Sequence, residues 1–203
     1  MTKIRERIFT VVFMFAVTFV FTSAVSLAYL LTKETIKLND AAYLKRAVLA
    51  AAGLDVPVDA KETEDLYGAR VEEQKKDDGS VEYFRVAGEG GDRTRGYVFI
   101  REGAGLWGTI VAVVGLDSDL ERMTGIAFLK QNETPGLGAR IAEDWFTQQF
   151  VGKQGPLTMV PEGEAAGESE FDAITGATIT STAVRDIVNG IIEDAPGIVG
   201  GER

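Results

Sequence analysis

Residues 172–184 read DAITGATITSTAV: five hydroxyl side chains (Thr175, Thr178, Thr180, Ser181 and Thr182) around one glycine and three alanines. Directly after it, Val184, Ile187, Val188, Ile191 and Ile192 fall at i, i+3, i+4, i+7 and i+8, the signature of an amphipathic helix with one apolar face. Thr180, Ser181 or Thr182 is expected to cap that helix, and Pro196 and Gly197 to end it. A helix start presents unpaired N–H groups and the positive end of its dipole, so it favours phosphate. Gly176 and Ala177 let a ligand come close to the backbone. Two readings stand together here: an ordinary threonine-rich cap, or an anion site with a modifiable hydroxyl.

Upstream of this stretch the chain reads as short strands with turn signals. ARVEEQ and VEYFRVA flank KKDDGS and predict a hairpin. GYVFIR, GTIVAVVGLD and RMTGIAFLK follow, rich in β-branched and aromatic residues, with a turn at Asp117–Glu121. ARIAEDWFTQQFVG predicts a helix with Ile141, Trp145 and Phe146 on one face, and PLTMV a last short strand. PEGEAAGESE reads as an acidic loop. Nearer the N-terminus, Asn39 and Asp40 cap a helix through AAYLKRAVLAAAG that stops at Gly53, and DVPVDAKETEDLYGA reads as a loop. The order implies an α+β domain on an antiparallel sheet with flanking helices.

Two further stretches are candidates for ligand contact. GAGLWG, Gly103–Gly108, matches a dinucleotide-binding pattern in letters only, because a strand rather than a helix follows it. Its Trp107 is either a ring-stacking residue or a core residue beside a turn. NETPGLGARI, Asn132–Ile141, places a Pro135-Gly136 turn ahead of a helix. Its backbone, with Glu133 and Thr134, can hydrogen-bond a polar ring edge or simply connect strand to helix.

Composition removes whole classes of chemistry. The 203 residues include no Cys and no His, which excludes disulfides, thiolate metal sites, thiol nucleophiles and imidazole bases. Redox chemistry, if present, requires a bound cofactor. The net charge of −10 divides into +3 over the first 37 residues and −13 thereafter, a balance that argues against nucleic acid.

Between Arg7 and Lys33 no residue is charged, and Ile8–Thr32 supplies 25 residues rich in Phe, Val, Ala and Leu. About 20 such residues span a bilayer. Lys3, Arg5 and Arg7 precede the window, so the N-terminus is expected in the cytoplasm and everything after Thr32 across the cell (inner) membrane. The alternative, a cleaved signal peptide ending near Ala24 or Ala28, requires a shorter apolar region. The expected organisation is a cytoplasmic N-terminus (1–7), a single transmembrane helix (8–32), a helix and connecting segment (33–80) and a ligand-binding domain (81–203).

These stretches, in this order behind one anchor, resemble the FMN-binding domain family of respiratory ion pumps. The similarity is to the flavin-carrying subunits of two such pumps, the Rnf complex (ferredoxin:NAD oxidoreductase) and the sodium-translocating NADH:quinone oxidoreductase. The family pattern D-x-x-[ST]-G-A-T is met at each fixed position by Asp172, Thr175, Gly176, Ala177 and Thr178. The resemblance implies FMN joined covalently through a phosphoester to Thr178, with Thr175, Gly176, Ala177 and Asp172 around it. It assigns flavin contact to Gly105, Leu106, Trp107, Glu133, Thr134 and Leu137. It implies no metal, a flavin transferase for maturation, and other subunits of a membrane oxidoreductase as partners in electron transfer. The Rnf complex is the expected setting, from the length of the chain. The corresponding quinone-reductase subunit, a stand-alone anchored flavoprotein and a non-redox adaptor are the alternatives.

Overall fold

The computed structural model describes residues 2–88, 90, 91 and 93–200; Met1 and Gly201–Arg203, at the outer ends of the expected organisation, lie outside the described residues. The chain forms two compact units, Met1–Ala41 and Ala42–Arg203.

Helix α1 is Thr2–Ala51. Among the described residues it is the one helix long and apolar enough to cross a membrane, and the side chains of its apolar window are exposed. The hydroxyls near the ends of that window satisfy themselves on the helix backbone, Thr10 on the Glu6 carbonyl at 3.0 Å and Thr32 on the Ala28 carbonyl at 2.9 Å. No helix start occurs at Asn39 or Asp40, which lie inside α1. The residues around them (Glu34–Leu49) carry no Gly or Pro to interrupt the turn, so a capping side chain alone does not break it. The stop at Gly53 does occur: Leu54 N–H donates to the Leu49 carbonyl and Gly53 N–H to that of Ala50, both at 3.0 Å. This pair closes a helix end in a Schellman arrangement.

The second unit is a five-stranded antiparallel sheet in the order β1-β2-β3-β4-β5, from Val71–Lys75, Val81–Ala87, Thr94–Ala104, Thr109–Asp117 and Met123–Lys130. The expected hairpins and the turn at Asp117–Glu121 are all present. Both faces are covered, which explains the unbroken apolar run of β4. Ile110, Ala112, Val114 and Leu116 face one core, while Val113 and its neighbours Phe84, Val86 and Val98 face the other. The second core is closed by the end of α1, through Val48 and Leu49. There Thr124 Oγ1 donates to the Ala51 carbonyl at 2.6 Å, and a Cβ at Gly115 would collide with that same carbonyl.

Three local expectations are corrected. The segment read as a loop before Val71 holds helix α2, Ala60–Arg70, whose N-cap Asp59 accepts from Lys61 N–H at 2.8 Å and Glu62 N–H at 3.0 Å. The segment 139–152 is not one helix. A 3₁₀ turn, Gly138–Ala142, is cut from α3, Asp144–Gln148, by Glu143 in an extended conformation. Burial of Ile141 and Phe146 survives the break because both still point into the core. Strands β6, Thr158–Val160, and β7, Glu170–Asp172, pair in parallel; β7 had no strand signal of its own.

Helix α4, Thr178–Gly200, lies on the first core and buries Val184, Ile187, Val188 and Ile191. At roughly 2 kcal/mol per buried aliphatic side chain, these four contribute on the order of 8 kcal/mol. Pro196 does not end the helix; it sits inside it. Proline lacks the N–H that would bond the carbonyl four residues back. Ala195 is buried and Ile198 and Val199 pack on the core, so packing carries the helix past that missing bond.

Candidate functional site

The stretch 172–178 is placed from beneath by rings. Phe171 of β7 touches Phe146 and Phe150, with ring centroids 6.1 and 5.0 Å apart, and all three are fully buried. From that anchor the chain makes a turn over Ile174–Ala177, closed by Ala177 N–H on the Ile174 carbonyl at 2.9 Å, with Gly176 at φ +80°. A positive φ at the third residue of a turn favours glycine. Helix α4 starts immediately after, with Thr178 as its first residue.

That start reassigns the hydroxyls. Thr180, Ser181 and Thr182 are not N-caps, because the helix begins before them. Ser181 Oγ accepts from Ile174 N–H at 3.0 Å and donates to the Ala177 carbonyl at 3.1 Å, fully buried. Thr180 Oγ1 donates to Glu133 Oε2 at 2.6 Å, also buried. Thr182 turns toward the Met159 sulfur at 4.0 Å. Thr175 leans on Glu162, its N–H donating to Oε2 at 2.8 Å. Thr178 is exposed, and its hydroxyl makes no hydrogen bond among the described residues.

Glu133 joins the three stretches. It is buried at 5 % exposure. Its Oε1 accepts from Trp107 N–H at 3.1 Å, and its Oε2 takes the Thr180 hydroxyl. Both carboxylate oxygens are therefore engaged within the protein. The glycines of the two loops make room for it: a Cβ at Gly105 would stand 2.5 Å from Oε1, and one at Gly138 2.6 Å from Thr180 Oγ1. The hairpin tip between β3 and β4 is closed by Gly105 N–H on the Gly108 carbonyl at 2.8 Å. The Thr134–Leu137 turn repeats the Ile174–Ala177 geometry, with Gly136 at φ +75° and Leu137 N–H on the Thr134 carbonyl at 3.1 Å. Leu137 comes against Gly176, whose absent Cβ would lie 3.2 Å from Leu137 Cδ2.

The loops gathered by Glu133 and Gly176 expose apolar side chains beside the start of α4. Leu106 is 48 % exposed, Trp107 69 %, Leu137 43 % and Ile179 58 %. Trp107 is thus not a core residue. Thr134 and Gly176 are also exposed at this surface, whereas Ala177 is buried beneath it. Asp172 stands apart: its Oδ1 accepts from Glu164 N–H at 3.0 Å and Ala165 N–H at 2.8 Å, so it fixes the acidic loop. Sequence reasoning missed Thr180, Glu162 and Ile179. Of these only Ile179 left a signal, as an apolar residue off the buried face of α4.

The acidic loop is held by carboxylates. Glu170 is pulled below the usual glutamate range by the N–H groups of Ala166 and Gly167, with Lys153 assisting. Glu162 is lowered by the N–H and hydroxyl of Thr175, with Arg140 assisting. A depressed carboxyl stabilises the fold above its unfolded value, ordinarily 4.5, and loses that contribution as pH falls through the lower folded value. Acidification below that range is therefore expected to open the 161–170 loop before the sheet. Amide exchange should show residues 161–170 losing protection while β3 and β4 keep theirs.

An apolar surface of this kind fits a planar aromatic ring, and a free hydroxyl at a helix start fits a phosphate. The fold and site define a class: the family model described as FMN-binding domain matches residues 105–193, a span that takes in all three stretches from Gly105 onward. The chain belongs to that family and, within it, groups with subunits of ion-translocating oxidoreductase complexes. It is 31 % identical over 195 residues to one such subunit, from the ion-translocating oxidoreductase complex of Methanosarcina acetivorans, covering 95 % of this chain and 96 % of that one. It is 41 % identical over 92 residues to a subunit of the Na(+)-translocating ferredoxin:NAD(+) oxidoreductase complex of Acetobacterium woodii, covering 44 % of each. The crystal structure of a Na(+)-translocating NADH-quinone reductase subunit from Parabacteroides distasonis shares the fold, with TM-score 0.68 and 23 % identity over 82 % of this chain and 96 % of that one.

Proposed function

We propose that this chain is the FMN-carrying electron-transfer subunit of an Rnf-type ion-translocating oxidoreductase, with the FMN phosphate esterified to Thr178. The observation that carries the reading is the sorting of hydroxyls at the start of α4: Thr180 and Ser181 are buried and bonded, Thr182 is turned inward, and Thr178 stands exposed without a hydrogen bond among the described residues. The near full-length similarity to the Methanosarcina acetivorans protein favours that complex over a quinone reductase.

FMN, when bound, would supply the electron-carrying chemistry, and with neither Cys nor His the chain offers no thiolate or imidazole ligands for another redox centre. The chain's own residues bind and orient. Thr178 supplies the oxygen that becomes bonded to phosphorus when a flavin transferase acts on FAD. The pyrophosphate bond breaks, AMP leaves and the hydroxyl proton passes to solvent. The first N–H groups of α4 face the phosphate charge. Leu106, Trp107 and Leu137 would cover the ring, while Glu133 fixes the hairpin carrying Trp107 against α4. Thr134 would offer it a hydroxyl.

The basic residues Lys3, Arg5 and Arg7 before the apolar window support a cytoplasmic N-terminus, with the residues after Thr32 across the membrane. Anchoring keeps the domain beside polytopic partners, and covalent attachment keeps the cofactor from diffusing away. The test is intact-protein and peptide mass spectrometry of the full chain made with and without a flavin transferase. An FMN phosphoester increment on the peptide containing Thr178, seen only with the transferase, is the expected result. An unmodified chain from the competent host would refute the proposal.

A further inference from the structure

Glu162 lies in the acidic loop, outside every motif of the site, yet it holds the turn that presents Thr178. Its Oε2 accepts from Thr175 N–H at 2.8 Å across 13 residues of chain. Its Oε1 lies 3.6 Å from Arg140 Nη2. Arg140 is itself fixed: its guanidinium lies over the Trp145 ring at 4.8 Å, its Nε stands 3.5 Å from Glu143 Oε2, and that carboxylate accepts the Trp145 indole N–H at 2.6 Å. Arg140 N–H donates in turn to the Leu137 carbonyl at 3.0 Å, at the end of the Thr134–Leu137 turn. The carboxylate of Glu162 thus ties together the two glycine turns that meet at Leu137 and Gly176. Glu133 holds the start of α4 from the buried side and Glu162 holds the turn before it from the solvent side. Asp172 and Glu170 pin the loop that carries Glu162 through four backbone N–H groups, so its carboxylate is delivered on a fixed loop.

We propose that Glu162 is a positioning residue for phosphoester formation at Thr178: by capturing Thr175 N–H it keeps the 174–177 turn in the one conformation that offers the Thr178 hydroxyl to a flavin transferase. This rests on the reading that Thr178 is the acceptor. A hydroxyl displaced by about an ångström reacts far more slowly, so the consequence falls on rate rather than on fold. Because the hydrogen bond needs only an acceptor oxygen, a carboxamide can replace the carboxylate, whereas a methyl cannot.

The experiment follows FMN loading of the full chain over time by intact mass spectrometry, with purified flavin transferase and FAD, for wild type, Glu162→Ala and Glu162→Gln. Amide exchange at Thr175–Thr178 is measured in parallel on the unloaded proteins. Glu162→Ala is expected to load about 10-fold more slowly, with faster exchange confined to 175–178 and an unchanged melting temperature. Glu162→Gln should recover most of the rate. Loading of Glu162→Ala at the wild-type rate would overturn the proposal, as would a general loss of exchange protection across the sheet. If the wild type takes up no FMN, the acceptor reading itself has failed. The exchange measurement then still decides the contact, since equal Thr175 exchange in wild type and Glu162→Ala would refute it.

Discussion

A Thr178→Ala chain is expected to leave a flavin-loading host with no covalent flavin, while its melting temperature stays that of the wild type. The side chain is exposed at the first residue of α4 and has no hydrogen-bond partner among the described residues. An exposed substitution away from caps and buried contacts changes stability by about 0.5 kcal/mol or less. The hydroxyls of Thr180 and Ser181 cannot take over, because both are buried and already bonded. Thr175 is exposed and is held by Glu162 through its N–H, so it is the neighbour whose modification the experiment has to separate from that of Thr178. Flavin fluorescence retained on the denatured Thr178→Ala polypeptide would show that another side chain is the acceptor. Thr178→Ser, which keeps the hydroxyl, should restore the signal.

The second large effect is expected at Glu133. Glu133→Ala removes a buried carboxylate that accepts from Trp107 N–H and from the Thr180 hydroxyl. The hydroxyl stays buried without its acceptor, and a cavity opens beneath Gly105 and Gly138, whose missing Cβ atoms had made room for the carboxylate. An unsatisfied buried group costs about 1–3 kcal/mol, and the cavity adds to it. The expected loss is about 3 kcal/mol, which for a chain of this size lowers the melting temperature by roughly 6–12 °C. Thermal unfolding of the detergent-solubilised full chain, followed by near-ultraviolet circular dichroism, measures it. A shift under about 1 kcal/mol would mean that Glu133 does not hold the three stretches together. Glu133→Gln keeps one acceptor oxygen and should lose less.

Much of the fold was legible because local signals were strong. Alternation and β-branched residues marked the five sheet strands, turn residues marked their hairpins, and the spacing from Val184 to Ile192 marked α4. The failures share one cause, the outweighing of local chemistry by packing. Pro196 reads as a stop, but apolar residues on both sides of it are held by the core. Asn39 and Asp40 read as a start, but no breaker interrupts α1 there. Strand β7 is three residues long and exists because β6 lies alongside and Phe171 fills a ring cluster. Helix α2 is the exception: Asp59 with Glu62 three residues on is a capping pattern that the loop reading passed over.

By itself the sequence determined the chemical limits of this protein. Absent thiols and imidazoles leave redox chemistry to a cofactor, and the resemblance to a family pattern points to Thr178 as the proposed acceptor, since neither depends on distance. The sequence did not distinguish Glu133 from a loop carboxylate, Trp107 from a core ring, or Glu162 from its acidic neighbours. Those distinctions belong to the tertiary structure alone. They arise when residues 26 to 47 positions apart close on one buried carboxylate, and when a loop pinned by its own acidic side chains reaches the turn before α4. Burial and partner choice are properties of the packed chain, and they separate the exposed hydroxyl of Thr178 from the engaged hydroxyls of Thr180, Ser181 and Thr182.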